Sequence, residues 1–143
     1  MAMRRMEWPE ASEFLLSGTR TAVVATASQG GRPHAVPVWF TLDDGQIVFT
    51  TTSASRKAIN LSRDPRVAIC VDDATPPFAF VSVRGTAQIT PGPEDLIAWT
   101  TSIARRYVGD ARADETGRAM AEVDDLLVRV EIESWVGYAE IVA

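Results

Sequence analysis

The sequence predicts a mainly β fold with added helices (α+β): about six to seven mostly antiparallel strands in a closed sheet, with helices packed at its ends. Three observations predict it. Short apolar, β-branched runs recur between turn signals such as Ser28-Gln29-Gly30-Gly31 and Asp43-Asp44-Gly45. Phe78 to Thr90 alternates, with Phe80, Ser82, Arg84 and Thr86 on one face and Val81, Val83, Gly85 and Ala87 on the other. Segments with helical start and stop signals interrupt the strand series.

Taken in order, Pro9 to Ser17 reads as a short helix. Proline suits an early helical position, Phe14 and Leu15 supply an apolar face, and Gly18 supplies the stop. Thr21 to Ala27 is a strand, followed by the paired-glycine hairpin and a second strand from Arg32 to Leu42. Pro33 and Pro37 cannot donate to a ladder, so they mark an edge, a bulge or a strand start, and part of the strand's backbone stays free for a flat ligand. A strand from Gln46 to Phe49 follows, then a helix broken at Arg63-Asp64-Pro65. Arg66 to Val71 is a strand and Asp72 to Pro77 a loop with two prolines. In the long strand Phe78 to Thr90, Gly85 predicts a bulge or a bend. Pro93 starts a helix with Leu96, Trp99, Ile103 and Tyr107 on one face; Gly109 to Arg112 connects it to a shorter helix, Ala113 to Glu122. Leu126 to Ile132 is the last long strand, and Tyr138 to Val142 a short final one.

Residues 1–143 read as a single domain, with 46% hydrophobic and 23% charged residues, as in ordinary soluble chains. A net charge of -5 weighs against a nucleic-acid surface but not against a local basic pocket. No apolar run approaches the ~20 residues that span a bilayer, and Met1 to Glu10 lacks the apolar stretch of a signal peptide. The expectation is a cytoplasmic protein with no membrane partner. Cys70 stands alone, so it forms no intrachain disulfide, and with His34 as the sole histidine no zinc site is expected. Cys70 is expected to be a buried, inert thiol. Trp39, Trp99, Phe40, Phe49 and Phe80 are expected in the core or a dimer contact. Asp43-Asp44 and Asp72-Asp73 read as turn pairs, and Asp124-Asp125 as a solvated pair.

The chemistry concentrates between Phe49 and Leu61, which reads as a strand end, a hydroxyl-rich turn and the first turns of a helix. Ser53 or Ser55 can cap that helix. Helix N-termini carry partial positive charge and free N–H donors, so they suit anions. Thr51, Thr52, Ser53, Ser55, Arg56 and Lys57 meet there, as at a phosphate site. Of fourteen basic residues Lys57 alone is a lysine. The alternative is a solvated cation on a helix surface; the hydroxyl cluster and Arg56 favour the anion site.

Four pieces in order carry a resemblance: Thr-Ala-Val-Val-Ala-Thr-Ala with Gly-Gly-Arg-Pro-His; Val-Pro-Val-Trp-Phe; Phe-Thr-Thr-Thr-Ser-Ala-Ser-Arg-Lys-Ala-Ile-Asn-Leu with Arg-Asp-Pro-Arg-Val-Ala; and Val-Arg-Gly-Thr-Ala-Gln-Ile. Over roughly residues 10–136 the chain resembles the pyridoxamine 5'-phosphate oxidase-like split β-barrel superfamily, and within it the short, actinobacterial F420-dependent branch. The resemblance implies a split β-barrel and a homodimer with the cofactor at the subunit interface. It implies that Lys57, with Arg56, Ser55 and Asn60 around it, binds the cofactor phosphate. The strand holding Arg32, Pro33, His34, Val36 and Pro37, together with Thr50, Thr51 and Thr52, would flank the deazaflavin ring. Trp135 would reach the partner's site. The implied activity is an F420H2-dependent reductase moving a hydride from deazaflavin C5 to a conjugated small-molecule acceptor. The alternatives are an FMN-dependent oxidase or reductase and a non-catalytic F420 or FMN carrier. No catalytic side chain is required by such chemistry; His34 is the candidate proton donor, against the reading of a strand histidine bonded to the scaffold.

Overall fold

The computed structural model describes residues 3–142. Its elements are β1 (Arg4–Arg5), α1 (Trp8–Leu16), β2 (Ala22–Ala27), β3 (Pro33–Val38), β4 (Thr41–Asp43), β5 (Gln46–Thr51), α2 (Arg56–Arg63), β6 (Arg66–Asp73), β7 (Ala79–Pro91), α3 (Leu96–Val108), α4 (Asp110–Val123) and β8 (Leu126–Ala139). One antiparallel sheet runs in the order β3-β2-β6-β7-β8-β5-β4, with β1 paired to β8. The α+β split-barrel expectation holds, with eight strands rather than six or seven.

Of the positions that the two prolines allow, β3 takes the edge of the sheet, and Pro33 is also its first residue. The sheet does not close by hydrogen bonds, since β3 and β4 are its two ends. They are nonetheless consecutive in the chain, so the segment Arg32 to Leu42 is two strands and not one. The break has a local cause. Phe40 is fully buried, its N–H donates to Tyr107 Oη (3.2 Å), and its carbonyl accepts from Arg106 Nη1. With its backbone pairs taken by α3 side chains, Phe40 leaves no ladder to continue. Arg106 also donates to the Leu15 carbonyl (3.0 Å), and its guanidinium lies over the Phe40 and Tyr107 rings. It therefore ties α1, α3 and the β3–β4 crossing together.

The inner face of the sheet supplies the core: Val24, Ile47, Phe49, Ile69, Val71, Val81, Val83, Val128 and Val130 pack with Leu15 of α1, Leu61 of α2 and Phe40. The irregularity expected as a bulge or a bend at Gly85 is a bulge, with the extra residue, Glu133, on β8 opposite it. The β7–β8 register shifts between Arg84 and Gly85, and a Cβ at Gly85 would lie 2.2 Å from the Glu131 carbonyl oxygen. That shift lets β8 remain paired with β7 along nearly its whole length, so it is one strand of 14 residues where the sequence suggested two. The helices also differ in their limits. α3 starts at Leu96 rather than Pro93, and only Gly109 (φ 84°) separates it from α4, whose first turn replaces the expected connection.

Cys70 corrects an expectation. Strand alternation buries Val67, Ile69 and Val71 and turns Cys70 outward, where it is exposed. Partial desolvation on the sheet face, aided by Asp72, pushes its thiol above the ordinary range, so it remains a poor nucleophile. Across the outer face it lies in the row Pro37–Val23–Cys70–Ser82–Val136, beside the row Ala35–Ala25–Ala68–Arg84–Ser134.

Several carboxyls titrate below their usual range in the fold. Asp64 falls to about 2 through its hydrogen bonds from Arg66, and Asp73 falls through the Thr75 amide and then Arg20. A depressed folded pKa means that the unfolded chain takes up the proton first. Stability from these groups is present above the unfolded value of about 4 and is lost as pH falls toward 2. The melting temperature is expected to hold from pH 7 to 5 and drop between about pH 4 and 2. An unchanged melting temperature at pH 2.5 would contradict this.

Candidate functional site

β5 delivers Thr50 and Thr51 to the end of the sheet, the chain turns through Thr52–Ala54, and α2 begins. Ser55 caps α2, as expected of one of the two serines: its Oγ accepts from the Ala58 N–H at 3.2 Å. Thr51 Oγ1 and Ser55 Oγ share a hydrogen bond of 2.9 Å. Thr50 Oγ1 donates to Asp124 Oδ2 at 2.8 Å, and the Ser53 N–H donates to Asp125 Oδ1 at 2.8 Å. Asp125 is exposed, as expected, and Asp124 half-buried, but both carboxylates are engaged and tie the α4–β8 junction to the turn before α2. The Ser53 amide is what holds the Asp125 carboxyl below its usual range. Most hydroxyls of the cluster already serve the scaffold. The donors left for a ligand are the Thr52 and Ser53 hydroxyls, the N–H groups of Arg56 and Lys57, which have no acceptor one turn back in the helix, and the Lys57 ammonium.

Lys57 is half-buried and forms no ion pair or hydrogen bond among the described residues. Burial pushes its pKa down, and the nearby Asp124 carboxylate pulls the other way. It faces a cleft of about 350 Å³ lined by Pro37, Val38, Trp39, Thr50, Thr51, Thr52, Ser55, Met120 and Asp124. This single cleft unites Lys57 and Ser55 with Pro37 of β3 and the Thr50–Thr52 strand end, the juxtaposition expected of a phosphate site beside a ring site.

Successive helical residues point about 100° apart, so Arg56 faces a different hollow. That second hollow, about 470 Å³, is lined by Ser28, Gln29, Arg32, Pro33, His34, Arg56 and Asn60. Asn60 is buried and donates Nδ2 to Thr26 Oγ1 at 3.0 Å, fastening α2 to β2. His34 lies opposite Thr26 in the β2–β3 ladder, and its buried Nδ1 has no partner among the described residues. Val36 is half-buried and paired with Val24, in neither hollow. Trp135 stands at the far end of β8, nine positions beyond Leu126, the partner of Thr51. At ~3.3 Å per residue that is roughly 30 Å as measured along the strand. It packs edge-on against Trp8, with centroids 5.3 Å apart.

A larger hollow, about 620 Å³, spreads over the outer sheet face across Ala25, Ala68, Arg84 and Ser134. Its wall holds two arginines, Arg66 and Arg84, and two carboxylates, Asp64 and Glu133, and Asp64 takes Arg66 in an ion pair at 2.8 Å. Sequence reasoning missed Trp39, Met120 and Asp124. Trp39, assigned to the core or a dimer contact, is partly exposed in the Lys57 cleft and stacks on Tyr107 at 4.7 Å and 6°. Its place directly after Pro37-Val38 was the available signal. Asp124 had none, because it is brought to Thr50 by the pairing of β5 with β8, across 74 residues of sequence.

A family model described as Pyridoxamine 5'-phosphate oxidase matches residues 8–137. A conserved hypothetical protein from Mycobacterium tuberculosis is 31% identical over 94% of this chain and 86% of its own, with a TM-score of 0.80. An F420 reductase is 26% identical over 86% of this chain and 94% of its own, with a TM-score of 0.67. An FAD-binding protein from Mesorhizobium loti, at 22% identity, covers 96% of this chain and 98% of its own with a TM-score of 0.67, which is a likeness of fold. No curated protein matches the chain. No helix among the described residues is long and apolar enough to cross a membrane.

Proposed function

The chain belongs to the pyridoxamine 5'-phosphate oxidase family, and from that premise we propose that it is an F420H2-dependent reductase acting on a conjugated small molecule in the cytoplasm. The observation that carries the proposal is Lys57: a half-buried cation without an ion pair among the described residues, in a cleft beside a proline-bearing strand edge. The Asp124 carboxylate nearby offsets part of the desolvation of Lys57 but does not bond it, so the ammonium keeps its donors free for an anion. When bound, F420H2 supplies a hydride from ring carbon C5. Lys57 and the N–H groups of Arg56 and Lys57 hold its phosphate. The backbone edge of β3 near Pro37 and the strand end Thr50–Thr52 orient the ring, and Trp39 shields it from water. Arg56 and Arg32, in the second hollow, meet the anionic tail. The likeness to an F420 reductase supports this choice over FMN.

The proposal includes a homodimer with the cofactor at the interface. The cleft is open to solvent, and a cofactor site ordinarily needs fuller burial. The outer rows of small side chains around Val23 and Cys70 would let a second subunit approach closely. Trp135 would then belong to the partner's site. Fluorescence titration should show F420 binding more tightly than FMN and weakening with salt, as expected of contacts to an exposed charged tail. Tighter FMN binding would overturn the F420 assignment in favour of the flavin alternative. Oxidation of F420H2 on adding an enone panel distinguishes an enzyme from a carrier, and light scattering of the apo and loaded protein tests the dimer.

A further inference from the structure

Asp124 is the unexpected member of the Lys57 cleft. A site built only to attract phosphate gains nothing from a carboxylate, yet Asp124 lines the same cleft as Lys57. Its position is held: Thr50 Oγ1 donates to its Oδ2 at 2.8 Å, and its own N–H closes the last turn of α4 on the Met120 carbonyl at 2.8 Å. Oδ1 receives no hydrogen bond among the described residues. The carboxylate therefore brings the cleft's formal side-chain charge, one lysine and one aspartate, to zero.

We propose that Asp124 is a specificity-determining residue that selects the charge of the bound phosphate, admitting a singly charged phosphodiester and disfavouring a doubly charged phosphomonoester. The inference rests on the cofactor reading above and deepens it. A phosphomonoester carries about -1.5 to -2 at pH 7, because its second pKa is near 6, whereas a diester keeps one charge. Repulsion by a fixed carboxylate is proportional to the ligand's charge, so a doubly charged group bears about twice the cost of a singly charged one. F420 presents a diester and FMN a monoester. Asp124 thus discriminates by repulsion rather than by an added attraction. Its electrostatic contact with Lys57 agrees with that placement.

The test compares FMN, riboflavin and F420 on the wild type and on Asp124→Asn, in which the amide oxygen can still accept from Thr50. In the wild type FMN should bind no more tightly than riboflavin. In Asp124→Asn the FMN affinity should rise at least tenfold, riboflavin should stay unchanged, and F420 should change by no more than about threefold. Asp124→Ala should reproduce the FMN gain, which separates charge from any effect of the hydrogen bond. Equal weakening of all three ligands would identify Asp124 as a contact for a shared hydroxyl and overturn the proposal. An unchanged FMN-to-riboflavin ratio, or no flavin binding by either variant, would also overturn it. Failure of the F420 reading shows separately, as wild-type protein that does not bind F420 while the FMN-to-riboflavin ratio still responds to residue 124.

Discussion

Gly117→Ala should lower the melting temperature of the apo protein by several degrees, although alanine is the better helix former. Gly117 lies inside α4, where replacing glycine by alanine ordinarily gains up to ~1 kcal/mol. Here α4 crosses α3 at contact distance. A Cβ at Gly117 would sit 2.3 Å from Thr101 Oγ1, 2.6 Å from Thr101 Cα and 2.7 Å from Thr101 N. A side chain can rotate away, but two of these atoms are backbone, so the helices must separate. Thr100, fully buried, donates Oγ1 to the Gly117 carbonyl at 2.7 Å and would be stretched by the same movement. Overpacking of this kind costs about 1–3 kcal/mol or more, which outweighs the propensity gain. For a chain of this size each kcal/mol corresponds to about 3–5 °C. The cleft should feel it as well, because α4 carries Met120 and ends at Asp124. A melting temperature that stays level or rises would show that the two helices slide apart without cost.

Lys57→Ala should have the opposite profile, a large loss of cofactor affinity with little change in stability. One charge-assisted contact to phosphate is worth about 1.5–3 kcal/mol, or roughly ten- to a hundredfold in Kd. Lys57 has no ion pair to lose among the described residues, and its partial burial is unfavourable to its charged form. Lys57→Arg should recover only part of the affinity, since a planar fork replaces a point charge in a cleft already shared with Trp39 and Met120. A variant that melts much lower and binds F420 normally would make Lys57 a structural residue, and the phosphate site would lie elsewhere.

The parts of the candidate site that were legible share a property: they are local in sequence. Ser55 was readable as a cap because capping is decided within four residues. Pro33 and Pro37 announced an incompletely paired strand, by an edge, a bulge or a strand start, because the missing N–H is a property of the residue itself. Gly85 announced a bulge or a bend for a similar reason. Local rules failed where a pairing partner was remote. The strand limits at Trp39-Phe40 depended on Arg106 and Tyr107, whose side chains take the backbone groups of Phe40. The final strand was read as two because Glu133 and Ser134 break the apolar pattern, yet β7 pairs through both flanks of the Gly85 bulge.

What the sequence determined by itself was therefore the class of fold, most of its elements, and the presence of a cationic, hydroxyl-rich helix start. Residue type and short-range spacing decide these. What only the tertiary structure decided was how that start is used. It divided the candidate residues between two hollows on either side of α2, turned Cys70 to the outer face, and brought Trp39 into the cleft. It also placed Asp124 opposite Lys57. The physical reason is that direction and charge environment depend on sheet register and helix phase. A rotation of about 100° between neighbouring helical residues sends Arg56 and Lys57 to different hollows. The β5–β8 register, with Thr51 opposite Leu126, sets a carboxylate from the end of the chain beside a lysine from its middle.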